Sequence, residues 1–319
     1  MASRDILVAH ARASIARGSK SFAAASRLFA PEMRDNVWLL YAWCRACDDL
    51  VDGQDHGGTL TDVTDVEARL TRVELLTDAT LAGEETGELS FDCLGLVARE
   101  CHLPRRYIDD LTEGFALDAE GWRPESKDDM LAYCYHVAGA VGCLMAIIMG
   151  VEPDDDAVLD RACDLGLAFQ LSNIARDVME DAAGGRCYLP RQWLAEMDLE
   201  EGTLLEPSAR PRLATLTGRL ATLAVRYEAS ARLGTSALSF RAAWAVLAAA
   251  GIYGGIGRRV AAAGQQALDH RVVTSKSEKL GYLLQAAGQG MVRRRLYPPA
   301  PRDTDLWRRP RLALPSVRC

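Results

Sequence analysis

The sequence predicts an all-α helical bundle, because apolar residues recur at intervals of three and four along most of the chain. Period-two alternation is weak everywhere, so we expect little β-sheet. Prolines stand where the helical pattern begins, as expected for proline in a first helical turn: Pro31, Pro104, Pro153 and Pro190. Together these observations place the chain in the all-α class.

The helical pattern covers successive segments at about 4–17, 31–52, 64–82, 89–101, 104–118, 127–149, 154–182, 208–233, 238–266 and 276–295. Long proline-free stretches, between Pro31 and Pro104 and between Pro211 and Pro298, leave room for uninterrupted helices. The polar run 53–64 contains glycine and predicts a mobile loop. We therefore predict one domain over residues 1–297, followed by a Pro- and Arg-rich tail over 298–319.

Composition excludes several classes of protein. The chain has 319 residues, 49% of them hydrophobic, which is enough for a large core, and its net charge of −7 argues against nucleic-acid binding. Nine cysteines without regular spacing indicate a reducing compartment rather than a disulfide scaffold. The N-terminus lacks an apolar signal core, so we expect a cytoplasmic protein, soluble or associated with a membrane surface.

Two acidic patterns carry the strongest chemical signal. Asp48 and Asp52 are four residues apart, as are Asp177 and Asp181, so each pair lies on one face of a helix. Their flanks are apolar, which predicts that the carboxylates line a cavity. Like charges at this spacing repel by roughly 0.2–0.5 kcal/mol when exposed, and a multivalent cation would relieve that cost. Facing carboxylate pairs suit Mg²⁺, which prefers oxygen ligands and often binds together with substrate phosphates.

Further polar residues extend each acidic pair into a polar stripe along its helix, which we call the acidic stripe. Tyr41 and Arg45 precede the first acidic pair in helical register, and Gln170 and Asn173 precede the second. Narrow polar stripes on apolar helices predict a bundle whose interior holds a charged ligand such as a diphosphate. A solvated acidic face is the alternative. Arg45 is placed either to bind the ligand or to pair with the neighbouring carboxylates, and both uses are compatible.

At these residues the chain resembles the squalene/phytoene synthases, and within them the bacterial phytoene synthases. The matching blocks follow in the family's order: 18–22 (GSKSF), 41–52 (YAWCRACDDLVD), 133–142 (YCYHVAGAVG), 170–181 (QLSNIARDVMED) and 185–190 (GRCYLP). The resemblance spans most of residues 18–295. It implies the isoprenoid synthase fold, a helical bundle with a central cavity, and a requirement for Mg²⁺ or Mn²⁺.

The resemblance also implies roles for individual residues. The metal-coordinating positions are Asp48, Asp52, Asp177 and Asp181. The substrate-binding positions, several of which would contact diphosphate, are Ser19, Ser21, Tyr41, Arg45, Gln170, Asn173, Tyr253 and Arg271. Tyr133 is the tyrosine expected near the reacting carbons, and Asp49 occupies a slot that varies among relatives. We expect the walls of the chain pocket to come from Val137, Leu144, Ile147, Leu167 and Phe169.

The implied reaction is the head-to-head condensation of two molecules of geranylgeranyl diphosphate to phytoene, through prephytoene diphosphate. It needs no NADPH, because the last step is a deprotonation. A squalene or dehydrosqualene synthase using farnesyl diphosphate is the nearest alternative. A cyclising terpene synthase would share the acidic pairs but not the block 133–142, and a non-catalytic relative would be expected to have lost aspartates that are present here.

The C-terminal tail carries an unusual charge. Eight arginines and two aspartates give residues 291–319 a net charge of +6, with Leu306 and Trp307 among them. This composition predicts either docking on an anionic membrane or packing against the acidic body of the same chain.

Overall fold

The computed structural model describes residues 2–52 and 66–311, except for the side chains of Lys20, Ser21 and Asp52. Helices and no strands occur in these ranges, which confirms the all-α prediction. The first half contains α1 (Arg4–Gly18), α2 (Lys20–Ala25), α3 (Pro31–Asp52), α4 (Val66–Leu81), α5 (Leu89–Cys101) and α6 (Arg105–Ala119). The predicted loop 53–64 lies outside the described residues.

The second half surrounds one long helix. It contains α7 (Lys127–Cys134), α8 (Ala140–Ile148), α9 (Asp156–Ala183), α10 (Arg191–Glu196), α11 (Arg210–Gly234), α12 (Phe240–Ala263), α13 (Lys276–Met291) and α14 (Arg293–Leu296). Helix α9 packs against α7, α8, α11 and α12. It therefore runs through the middle of the bundle and connects the elements that form the site.

Local sequence explains where several of these helices begin. Ser126 and Asp129 form a capping box at the start of α7, and Ser275 and Glu278 form another at the start of α13. Each box satisfies backbone N–H groups that have no partner within the helix. These signals made the starts of the segments 127–149 and 276–295 predictable.

The predicted single helix over 127–149 differs from the structure. A π-helical turn, Tyr135–Gly139, separates α7 from α8. The Tyr135 hydroxyl donates to the Asp110 carboxylate, and His136 Nδ1 lies 2.8 Å from the Asp110 carbonyl oxygen. These contacts with α6 are long-range, so apolar periodicity does not reveal the turn. Such turns are frequent at functional sites.

Two glycines allow this region to approach α9 closely. A Cβ atom at Gly142 would overlap the carbonyl oxygen of Ala162, and one at Gly166 would overlap the carbonyl oxygen of Ala138. Larger residues would force the backbones apart. Glycine at both positions therefore fixes the distance between α9 and the helices of the 133–142 block.

Two helical runs have the length and apolar composition of membrane spans, Lys127–Ile148 and Phe240–Leu268. Within the structure, 61% and 56% of their most apolar windows are buried. Core helices of globular bundles show the same combination of hydropathy and burial.

Residues 298–311 form an irregular strap that packs along α9 and α11. Arg302 forms two hydrogen bonds with Asp164, at 2.6 and 2.9 Å, and Asp164 is completely buried. Arg309 pairs with Asp156 and Asp160, and Leu306 is buried. Of the two interpretations of the tail, this part follows the second, because it packs against acidic residues of its own chain. Residues 312–319 lie outside the described part.

We predict that the strap stabilises the bundle through the Arg302–Asp164 pair. Replacing Arg302 by Gln would leave a buried carboxylate without its cation, which costs up to about 3–5 kcal/mol in the free energy of unfolding. Urea denaturation measures this loss. The double variant Arg302→Gln/Asp164→Asn removes both charges and should recover most of it. Equal losses in the single and double variants would contradict the prediction.

Candidate active site

The acidic stripe of α3 is already paired with a guanidinium group. Arg45 Nη1 lies 2.9 Å from Asp48 Oδ2, and Arg45 Nη2 pairs with Asp49. Asp48 is the more exposed of the two carboxylates, at 46% against 15% for Asp49. Asp49 therefore holds Arg45 in place beside Asp48. Asp52 ends α3, and its side chain lies outside the described residues.

The stripe of α9 contains a second carboxylate held by arginines. Arg271 donates to both oxygens of Asp177, at 2.9 and 3.0 Å, and Arg176 Nε donates to the same carboxylate at 2.7 Å. Burial alone would raise the pKa of Asp177, but the hydrogen bonds from Arg176 and Arg271 lower it below its usual value. Asp177 is thus a charged carboxylate at neutral pH.

Asp181 lies one helical turn further along α9 in a different environment. It makes no ion pair with any described residue. Burial, followed by the negative charge of Asp177, raises the pKa of Asp181 to about 7, although Arg186 partly opposes the shift. The charge of this carboxylate is therefore poorly compensated by the protein itself.

Tyr133 belongs to an aromatic cluster around a third carboxylate, Asp118. Its ring is stacked with Tyr188, at 4.9 Å between centroids, and with Trp122, at 5.7 Å. The hydroxyl groups of Tyr133 and Tyr188 each donate to Asp118 Oδ1 at 2.9 Å. The negative charge of Asp118 also acts on Asp181. The cluster thereby connects Tyr133 to the acidic stripe of α9.

An apolar cavity of about 370 Å³ lies between α8, α9, α11 and α12. Gln170, Asn173 and Tyr253 line it together with apolar side chains of α8, α9, α11 and α12. Tyr253 is stacked on Phe169, with 4.3 Å between the ring centroids. The cavity therefore extends from the polar stripe of α9 into the apolar interior.

The expected pocket walls are only partly correct. Val137 and Phe169 line the cavity. Leu144, Ile147 and Leu167 do not line it and are buried in the core. Periodicity places all five residues on apolar helices, but it cannot distinguish a side chain facing a cavity from one packed against a neighbouring helix.

The remaining predicted residues lie at the start of the chain near α3. Ser19 is the N-cap of α2, where its Oγ accepts from the backbone N–H of Phe22 at 3.3 Å. Phe22 lines the cavity and makes an edge contact with Tyr41, 5.7 Å between centroids. Burial raises the pKa of Tyr41, which keeps it protonated. Ser21 belongs to α2, but its side chain lies outside the described residues.

The donor set fits a hard divalent cation bound together with a diphosphate. Asn173 Oδ1 is buried and has no hydrogen-bond partner, so it is an acceptor available to a cation. The nearby donors on α9 are carboxylate and amide oxygens, which Mg²⁺ and Mn²⁺ prefer. No three described His, Cys, Asp or Glu side chains are grouped closely enough to hold an ion alone. Mg²⁺ in proteins often takes its remaining ligands from substrate phosphates and water.

Several residues of this site escaped the sequence analysis. Arg176 and Tyr188 lie within blocks that the analysis singled out, so their position next to Asp177 and Tyr133 could have been suspected. Asp118 and Trp122 have no pattern in the sequence that links them to the site. Their place depends on contacts between α6, the turn after it and α7.

Comparison with known proteins gives one consistent result. The family model for squalene/phytoene synthase matches residues 15–278. The chain is 46% identical to the 15-cis-phytoene synthase of Pantoea ananas, covering 95% of this chain and 98% of that one. It is 44% identical to the phytoene synthase of Pseudescherichia vulneris, with 97% and 99% coverage. The crystal structure of a dehydrosqualene synthase superimposes with a TM-score of 0.77 at 26% identity, covering 89% and 96% of the two chains.

We predict opposite effects of two Asn substitutions on the metal-free protein. At about pH 8, Asp181→Asn should raise the melting temperature, because it removes a carboxylate that is costly to ionise in the folded state. This cost is present above the raised folded pKa and disappears near the unfolded value of about 4. Asp177→Asn should lower the melting temperature at about pH 8, because it removes the partner of Arg176 and Arg271.

Thermal denaturation in EDTA measures both effects. The stabilisation by Asp181→Asn should shrink as the pH falls from about 8 to about 4. The destabilisation by Asp177→Asn should persist down to about pH 4 and shrink only at lower pH, because the pKa of Asp177 lies below its usual value and its ion pairs survive to that point. If both variants shifted the melting temperature in the same direction at about pH 8, the prediction would be wrong, because Asp177 and Asp181 would then lie in similar electrostatic environments.

Proposed function

This chain belongs to the squalene/phytoene synthase family, and we propose that it is a phytoene synthase that joins two molecules of geranylgeranyl diphosphate head to head. Phytoene formation is the first committed step of carotenoid biosynthesis. The observation that carries the proposal is the apolar cavity. Polar residues of α9 line it, and the two acidic stripes lie beside it. The high identity to phytoene synthases over nearly the whole chain supports this substrate.

We further propose Mg²⁺, or Mn²⁺, as the cation of the site. The residues that would hold it are Asp48, Asp52, Asp177 and Asp181, with Asn173 beside them. Bound there, the cation would neutralise the diphosphate and stabilise the charge that develops as it leaves. The poorly compensated carboxylate of Asp181 and the buried Asn173 Oδ1, which has no hydrogen-bond partner among the described residues, support this assignment.

The protein's own residues would bind and orient the substrate. Arg45 and Arg271 hold carboxylates at the site, and both can donate to a diphosphate instead. The apolar cavity would position the chains and exclude water from the allylic cation. The Tyr133 hydroxyl donates a hydrogen bond to Asp118, so the role that we propose for Tyr133 is to hold this carboxylate near the acidic stripe of α9.

The function is tested by identifying the hydrocarbon that the purified protein makes. With Mg²⁺ and geranylgeranyl diphosphate we expect phytoene by mass, with the same rate in the presence and absence of NADPH, because the last step is a proton loss. Asn variants of Asp48, Asp177 and Asp181 should lose at least about 100-fold in kcat, since each removes a charged ligand of the site. Asp154→Asn, an exposed residue in the turn before α9, is the matched control and should keep full activity.

Two outcomes would contradict this function. A product with a saturated central bond that forms only with NADPH, or efficient turnover of farnesyl diphosphate alone, would favour the C30 alternative; a dehydrosqualene synthase is among the structural neighbours. Near-normal activity of two of the three Asn variants would refute the assignment of the acidic stripes.

We also propose that the protein is cytoplasmic and binds peripherally to the inner face of the cell membrane. The described cysteines are all free thiols, consistent with a reducing compartment. The product would be a very apolar hydrocarbon that must reach a lipid phase. The described part of the tail, the strap, is a poor docking surface, because Arg302, Arg309 and Arg311 pair with acidic residues of the same chain.

We propose α13 and α14 for this contact instead. Leu280, Leu284 and Met291 lie on one face of α13 and are exposed, and Leu296 of α14 extends this apolar stripe. Residues 276–296 carry five basic side chains and one acidic side chain, Glu278, in a chain whose net charge is −7. Basic residues at an anionic bilayer gain about 1 kcal/mol each, and apolar side chains add an anchor. The charge and the stripe favour an anionic lipid surface as the occupant.

We predict that Leu284→Glu abolishes binding to vesicles containing anionic lipid. Leu75→Glu is the matched control, because Leu75 on α4 is 65% exposed and Leu284 is 66% exposed. Co-sedimentation of the wild-type protein should weaken at high salt and with neutral lipid, since Debye screening reduces the attraction. Equal binding of the two Glu variants, or binding that ignores lipid charge, would rule out this surface.

A further inference from the structure

A buried arginine lies at the end of the cavity remote from the acidic stripe. Arg161 of α9 lines the cavity next to Val158, although only 7% of its surface is exposed. Asn173 lies near the other end on the same helix. Twelve residues separate the two, which corresponds to about 18 Å along the axis of a helix. This distance is comparable with the length of an extended C20 prenyl chain.

The charged head of Arg161 points away from the cavity. Its Nη1 donates to Ser230 Oγ at 2.5 Å, and its Nη2 donates to the carbonyl oxygen of Ala300 in the strap at 2.7 Å. Neither acceptor lines the cavity. Ser230 in turn donates to Asp164, which Arg302 of the strap neutralises. The surface that Arg161 presents to the cavity is therefore its methylene stem.

The stem has no room to retreat towards α11. Gly234 lies directly behind it, and a Cβ atom at this position would be 2.6 Å from Arg161 Cβ. Gly234 and Thr235 line the same end of the cavity. The stem is therefore wedged between the cavity and the backbone of α11, and its guanidinium is fixed by the strap. A longer ligand could enter only by displacing this stem.

We propose that Arg161 closes the prenyl-chain pocket and thereby sets the longest chain that the enzyme accepts. The identity of the occupant as a prenyl chain rests on the proposed function. The position of the closure does not, because it follows from the cavity and from the contacts of Arg161. Arg161 is thus a specificity-determining residue that takes no part in the chemical steps.

A binding experiment tests the closure without turnover. Thiolo analogues of the C15, C20 and C25 prenyl diphosphates, which are poor substrates, are added with Mg²⁺, and the rise in melting temperature is measured. In the wild-type protein the rise should grow from C15 to C20 and fall at C25. Arg161→Ala removes the stem, so the rise should continue to grow at C25. Arg161→Met keeps a stem of similar length without the charge and should behave as the wild-type protein does.

Turnover gives a second measurement. The ratio of kcat/KM for the C25 prenyl diphosphate to that for the C20 substrate should increase about tenfold or more in Arg161→Ala. It should stay within about threefold of wild type in Arg161→Met. Arg232→Ala is the matched control, because Arg232 is a hydrogen-bonded, largely buried arginine that does not line this cavity. If Arg161→Ala does not fold, Arg161→Val shortens the stem with less loss of packing.

The outcomes separate this inference from the proposed function. An unchanged chain-length preference in a folded Arg161→Ala or Arg161→Val variant would overturn the closure. A change of equal size in Arg161→Met would also overturn it, because the charge rather than the stem would then be responsible. If the wild-type protein binds the thiolo analogues with the expected length dependence but makes no hydrocarbon from the natural diphosphate, the closure stands and the proposed function fails.

Discussion

The cost of burying a carboxylate governs the arrangement of charges in this helical bundle. A buried ion without a partner is prohibitively expensive, and most acidic groups of the interior accordingly face a guanidinium. Asp164 is paired with Arg302, and Glu228 lies between Arg232 and Arg258. Asp181 departs from this pattern, and the upward shift of its pKa expresses the missing compensation. The proposed cation would supply the compensation that the described residues do not provide at this position.

The charged residues of helix α9 are arranged in a definite order along its length. Its first turns carry Asp156 and Asp160, which bind the strap, and its last turns carry the acidic stripe of the site. The middle of the helix forms one wall of the apolar cavity, and Gly166 allows it to approach the backbone of Ala138. No charged residue of α9 lies between Asp164 and Arg176, so charge is concentrated towards the two ends of the helix and is absent from the middle of the cavity wall.

Most of the helices and both acidic stripes could be predicted because they depend on local periodicity and capping. Residues whose roles depend on contacts between distant segments could not. Asp118 has no recurring spacing, yet it binds the hydroxyl groups of Tyr133 and Tyr188. Two residues of the π-helical turn at Tyr135–Gly139 are hydrogen-bonded to Asp110 on another helix. The tail had two interpretations because its charge suits a lipid surface and an acidic helix equally, and only the three-dimensional positions of Asp156, Asp160 and Asp164 distinguish them.

The strap also has a consequence for the order of events during synthesis. Arg302 and Arg309 pair with carboxylates that precede them by 138 to 153 residues. A ribosome adds about 5–20 residues per second. Helix α9 would therefore be synthesised several seconds before Arg302 and Arg309. During this interval Asp164 can avoid a charged, buried state by staying hydrated or by taking up a proton. Docking of α9 into its final position would then be completed only after residue 309 has left the exit tunnel, which makes the strap a late step in the maturation of the fold.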